Sequence, residues 1–233
     1  TVSRASVHNV SIVRQLKLGI GDRIAVYKAN MIIPQIAGNL TQSDSLKIPD
    51  TCPVCGGPAK ICRENDTETL VCVNPDCDAK KLKAFALIVS RDAFNIDGLS
   101  EATLEKFLAR GFLHTYADLF HLDRHRDEIV EMDGFGEKSY QNLMNSLEKA
   151  RNITLAKLIY SLGIPNIGLA NARMICREYQ DDLDRMLAAP AEELAAIDGV
   201  GPVIAGAFRD FFAREKNRDA LDALLKEVKL QKE

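Results

Sequence analysis

One short pattern occurs four times in this chain, and the repeat restricts it to a small set of architectures. Aligned on Gly136 of Asp133-Gly134-Phe135-Gly136-Glu137-Lys138, the copies place Ser100, Gly136, Gly168 and Gly201 in register, 36, 32 and 33 residues apart. Just before each anchor stands an apolar residue (Leu99, Phe135, Ile167, Val200), and before that Gly98, Gly134, Asn166 or Gly199, residue types that tolerate φ > 0. The backbone is expected to turn sharply there. Four residues after the anchor come Leu104, Tyr140, Ala172 and Ala205, and seven after come Phe107, Leu143, Ile175 and Phe208. That spacing is one buried stripe of a helix, so a helix is predicted to start at each anchor.

Each unit therefore reads as helix, glycine hairpin, helix, with the apolar middle residue pinning the hairpin to its core. Backbone N–H groups at a helix N-terminus, backed by the positive end of the macrodipole, form a cradle for an anion such as phosphate. The pattern resembles the helix-hairpin-helix motif of DNA-binding proteins that ignore sequence. Tetratricopeptide and ankyrin arrays, which are protein-binding scaffolds, share the period, but their signatures are absent.

The net charge is −3, so binding to DNA would rest on local contacts, and backbone amides meet phosphate without adding charge. No apolar run approaches the roughly 20 residues of a membrane span, and residue 1 opens no signal peptide. A soluble, cytoplasmic protein with no membrane partner is expected. Five of the six cysteines fall between Cys52 and Cys77, which points to metal rather than disulfides in a chain with no secretory feature. Cys52-Pro53-Val54-Cys55 and Cys72-Val73-Asn74-Pro75-Asp76-Cys77 form two knuckles that offer four thiolates to a tetrahedral, structural zinc. Cys62 belongs to neither knuckle.

Three modules are expected: a partial β segment over 1–48, a four-cysteine zinc finger over 49–80 and an all-α domain of four hairpins over 81–233. In the first, strands are predicted over 1–7, 23–28 and 31–37, with a helical turn at 12–16. A polar linker over 38–45 is expected to separate it from the zinc finger. Beyond residue 83 apolar periodicity predicts helices at 82–90, 101–109, 117–122, 139–150, 155–162, 169–178, 182–187, 191–196, 203–213 and 218–228. His121 and His125, at i and i+4, lack a third metal ligand and read as a surface pair. No Lys-x-Asp-Gly, Walker loop or Ser-His arrangement occurs, so no catalytic residue is assigned.

The order of modules resembles the C-terminal half of bacterial NAD-dependent DNA ligases. Thr1-Val2-Ser3-Arg4-Ala5-Ser6-Val7-His8-Asn9, Ile20-Gly21-Asp22 and Ile32-Ile33-Pro34-Gln35 look like the family's OB-fold motifs, the cysteine spacing is similar to its zinc finger, and Asp97-Gly98-Leu99 and Leu162-Gly163-Ile164 resemble its hairpins. Lys28-Ala29-Asn30-Met31 departs from the Arg-Ala-Gly-Asp of many members. The resemblance implies binding to nicked duplex DNA in replication and repair, by a monomeric, nucleoid-associated bacterial enzyme. It also implies that the adenylation domain, with its catalytic lysine, NAD and magnesium, precedes residue 1 and is a partner of this segment, which would not ligate alone. By the same resemblance Arg4, Lys28, Gly98, Ser100, Gly134, Gly136, Lys138, Gly168, Arg173, Gly199 and Gly201 are the expected DNA contacts. A helix-hairpin-helix repair subunit and a helical interaction scaffold are the competing readings.

Overall fold

The structure, a computed structural model, describes residues 2–30 and 32–232. Thr1 and Met31, expected to open the first and third of the predicted strands, lie outside the described residues. Contacts divide the chain into two compact units, residues 1–80 and 81–233.

In the first unit, helix α1 (Val10–Gln15) begins where Asn9 accepts the Ile12 N–H through its side chain, a local N-cap. Strands β1 (Ile24–Ala29) and β2 (Ile33–Asn39) form an antiparallel pair with an irregularity at Ala25/Val26. The strand predicted over 1–7 reduces, among the described residues, to one bridge from Ser6 to Gln35. Ile20 and Ile32 stand 90% and 77% exposed. The stretch 38–45 is not a free linker. Asn39 is buried and donates to the Lys17 carbonyl and to Asp22, while the Asp44 and Leu46 amides bond the Lys17 and Leu18 carbonyls. A buried amide side chain satisfied this way holds the segment against the turn at 17–22.

A second hairpin, β3 (Ala59–Glu64) and β4 (Thr67–Cys72), lies between the cysteine knuckles. It went unpredicted. Its two-residue turn is Asn65-Asp66, both at positive φ, the backbone that a tight hairpin of this twist requires. Helix α1 packs on β4, where Ser11 accepts the Glu68 N–H at 2.7 Å and Arg14 pairs with the Glu68 carboxylate at 2.6 Å.

Helix α2 (Asp78–Val89) leads into the second unit. There α3 (Glu101–Ala109), a 3-10 segment over Tyr116–His125, α4 (Arg126–Val130) and α5 (Glu137–Ala150) make the first two repeats. The second two contain α6 (Leu155–Ser161), α7 (Leu169–Glu178), α8 (Leu183–Ala188), α9 (Ala191–Ala195), α10 (Gly201–Ala213) and α11 (Glu215–Glu227). The eight stripe residues, Leu104 to Phe208, are all buried in one continuous core, so the repeat alignment reports true packing positions. No helix among the described residues is long and apolar enough to cross a membrane.

Among the described residues the helical unit contains one sheet, unforeseen from periodicity. Strand β5 (Asn152–Thr154) pairs in parallel with β6 (Lys229–Gln231). Beside it Arg151 donates to the Glu227 carboxylate at 2.9 Å, the Glu227 carbonyl at 2.8 Å and the Phe120 carbonyl at 3.1 Å. His121 Nε2 lies 2.6 Å from the other Glu227 oxygen, so this histidine faces a carboxylate instead of His125. Burial pushes the Glu227 carboxyl up, but Arg151 and His121 outweigh it and hold it below the usual glutamate value. A carboxylate depressed in the folded state stabilises the fold above its unfolded pKa, and that contribution is lost as pH falls through the folded value. Glu227→Gln is therefore expected to cost about 1–3 kcal/mol at neutral pH. It should also flatten the loss of stability on acidification. Urea melts of both proteins from neutral pH down through the carboxylate range check this.

Candidate metal centre and nucleic-acid interface

The four knuckle cysteines converge. Their sulfur atoms all lie within 4.8 Å of one another, with Cys55 and Cys72 at 3.6 Å and Cys52 and Cys77 at 3.9 Å. Four thiolates around a tetrahedral zinc, each about 2.3 Å from it, sit about 3.8 Å apart. The donor set therefore fits zinc in size and chemistry. Local backbone builds the cradle. The Val54 and Cys55 amides point at the Cys52 sulfur, and the Gly57 amide and Asn74 side chain point at Cys55. A side chain on Gly57 would crowd the Cys55 sulfur at 3.3 Å, so glycine eases the approach of that amide. Cys62 lies on β3 opposite Thr69, outside the cluster.

These donors split the thiols. The Gly57 amide and Asn74 bring Cys55 down to about 6, whereas burial drives Cys72 up to about 11. Cys55 ionises first, and its neighbour then keeps its proton because two anions 3.6 Å apart repel. Four thiolates at neutral pH need a dication among them.

In the second unit all four repeats build the expected turn. Gly98, Gly134, Asn166 and Gly199 have φ of 89°, 87°, 63° and 79°. In the last three copies the next residue's N–H returns to the carbonyl three before it (Phe135 to Met132, Ile167 to Ile164, Val200 to Ile197). A left-handed third residue is the requirement of a type II turn. Leu99, Ile167 and Val200 are buried and Phe135 is half-buried, so each hairpin is pinned as predicted.

Helices then start at the anchors. Ser100 caps α3 by accepting the Thr103 N–H, and Gly136 and Gly168 precede α5 and α7. In the fourth copy Gly201 has φ of 64°, so it ends the turn, and Pro202 stands in the first turn of α10, where its missing N–H costs nothing. The anchor amides are partly committed: Gly136 N–H donates to Ser139 Oγ and Gly168 N–H to Asn171 Oδ1. The donors presented outward are thus the first-turn amides beyond the anchor, such as those of Glu137 and Lys138. Side chains added at Gly134, Gly136 or Gly201 would meet nothing within 4 Å, so these hairpins face open space.

Of the basic candidates, Lys138 is exposed in the first turn of α5, beside the second hairpin, and Arg173 is exposed on α7. Arg4 and Lys28 are exposed in the first unit, Lys28 on β1 opposite Pro34. Two cations at the second hairpin escaped the sequence reading. Lys106 of α3 donates to the Asp133 carbonyl at 3.2 Å, and Arg126 of α4 pairs with Glu137 at 2.7 Å.

Comparison with known proteins decides the family. The NAD-dependent DNA ligase OB-fold domain matches residues 1–47, a SAM-like helix-hairpin-helix tandem matches 90–149 and a helix-hairpin-helix motif matches 157–221. A DNA ligase of Lachnoclostridium phytofermentans is 54% identical over 233 residues, all of this chain and 36% of the relative. The chain belongs to the bacterial NAD-dependent DNA ligases. DNA ligases of Ruminiclostridium cellulolyticum (51% over 231 residues, 99% of the chain, 35% of the relative) and Fusobacterium nucleatum (35% over 228 residues, 96% and 32%) agree. The chain spans about a third of the length of these ligases, and its modules are those of the family's C-terminal part.

Proposed function

We propose that this chain is the DNA-clamping part of a ligase that joins 5′-phosphate to 3′-hydroxyl at nicks during replication and repair. The observation that carries this reading is the hairpin built four times over: a left-handed residue, a pinned apolar side chain and a helix N-terminus open to solvent, in a chain that matches DNA ligases throughout. Amides in that arrangement contact backbone phosphate without reading bases, which suits an enzyme acting at nicks of any sequence. Arg4, Lys28, Lys138 and Arg173, with the hairpin residues Gly98, Ser100, Gly134, Gly136, Gly168, Gly199 and Gly201, form the proposed DNA-contacting set.

In this reading the division is a partial OB fold over 1–48, a zinc finger over 49–80 and the hairpin domain over 81–233. Cys52, Cys55, Cys72 and Cys77 hold zinc. With four protein ligands the ion keeps no open position, so it supplies folding energy and no chemistry. The chain carries no Lys-x-Asp-Gly, and adenylation with NAD and magnesium belongs to another domain of the ligase, which adenylates the nick that this part holds. The segment alone is a monomer that binds but does not ligate, and the whole enzyme works at the bacterial nucleoid.

Gly136→Asp separates binding from folding. Gly136 has extended backbone and open space at its Cβ, and Asp is a good N-cap, so the variant should fold as well as the parent. Its carboxylate would stand where phosphate is expected. Anisotropy of a labelled nicked duplex should show sequence-independent binding that weakens with salt and is largely lost in Gly136→Asp. Undiminished binding by the variant would overturn the clip reading. Complete chelation should unfold residues 52–77, and unchanged protease resistance there would refute a structural zinc.

A further inference from the structure

Aligned on their anchors, the four repeats differ in one respect. Ten residues before the anchor stand Ser90, Arg126, Leu158 and Ala191, so only the second copy carries a cation there. Six residues after the anchor, Lys106 of the first copy reaches the second copy's hairpin, and its counterpart Met174 reaches Gly199 of the fourth. The same packing thus delivers an ammonium to the second hairpin and a thioether to the fourth.

Neither cation is neutralised in a way that would keep it from phosphate. Lys106 is exposed, and its one described hydrogen bond goes to the neutral Asp133 carbonyl, which leaves two of its three N–H donors for another acceptor. Arg126 pairs with Asp127 at 3.1 Å and Glu137 at 2.7 Å, its side chain half exposed, and its guanidinium lies 5.8 Å from the Tyr140 ring centre. Glu137 is the first residue of α5, so its carboxylate occupies the end of the helix where an anion is favoured. An exposed pair of this kind holds only weakly, because solvent screens it. A phosphate that bonds the first-turn amides and the planar guanidinium together is a stronger partner for Arg126 than Glu137.

We propose that Lys106 and Arg126, carried to the second hairpin by α3 and α4, bind phosphate there alongside Lys138, with Glu137 holding Arg126 at the site until phosphate replaces it. This rests on the DNA-clamping reading and deepens it. The second hairpin becomes the electrostatic grip of the array, and Glu137 a built-in competitor that sets its strength.

The test is anisotropy of the 233-residue chain with a nicked duplex across a salt series, using Lys106→Ala, Lys106→Arg, Arg126→Ala, Glu137→Gln and the double variant Arg126→Ala with Glu137→Gln. Lys149→Ala, at the far end of α5, serves as the charge control. Lys106→Ala and Arg126→Ala should each lower the slope of log affinity against log salt by about 1, and the control should leave it unchanged. Lys106→Arg should keep the slope, which a loss of hairpin packing alone would not predict. Glu137→Gln should tighten binding by a larger factor in the parent chain than in the Arg126→Ala background. Unchanged slopes in folded variants, or the same factor in both backgrounds, would overturn the assignment and leave the clamp intact. No binding by the parent chain at low salt would sink both.

Discussion

Each hairpin depends on a single trade between backbone strain and burial. A residue with positive φ is unfavourable for most side chains, and here it stays in place because its neighbour on one side is buried and a helix begins on the other. The buried residue fixes the turn, the turn aims the helix, and the helix returns its own stripe to the same core. This circular dependence explains why the left-handed turn recurs in all four copies despite only partial identity of sequence. Asn166 fills the left-handed position in the third copy, as the residue other than glycine best suited to it.

The parts legible in the sequence are those governed by local rules. Helices at 101–109 and 169–178 emerge with the predicted bounds because capping and a 3.6-residue stripe agree. The knuckle cysteines are legible because ligand spacing follows from the reach of a short loop around one ion. What was missed depends on distant partners. Strands β5 and β6 have three residues each, too few for a period to show, and exist through each other. Helix α4, of five residues, is likewise below the length at which periodicity speaks. The hairpin β3–β4 is marked by Asn65-Asp66, but its strands AKICRE and TETLVC show no clean alternation to announce it. At the candidate interface the glycines were visible and Lys106 was not, since it lies in one repeat and serves the next.

Electrostatics in this chain are short-ranged by design. With a net charge of −3 there is no broad positive field to gather DNA, so any affinity comes from amides and a few cations at fixed points. The four thiols present the reverse arrangement, negative charge concentrated enough that only a dication relieves it. Both halves thus place their charge where geometry holds it.

The parallel pairing of β5 with β6 has a kinetic side. Arg151 and Glu227, which meet beside it, are 76 residues apart, and closing a loop of that size costs about 4 kcal/mol of chain entropy. Such a contact is favourable only once the third and fourth repeats have packed and brought the ends together. Contact order then favours a sequence in which repeats close locally, each within its own helices, before the β5–β6 stitch forms. A ligase domain assembled this way can have its hairpins formed while that stitch opens and closes, so amide exchange in β5 and β6 would run ahead of exchange in the helices they join.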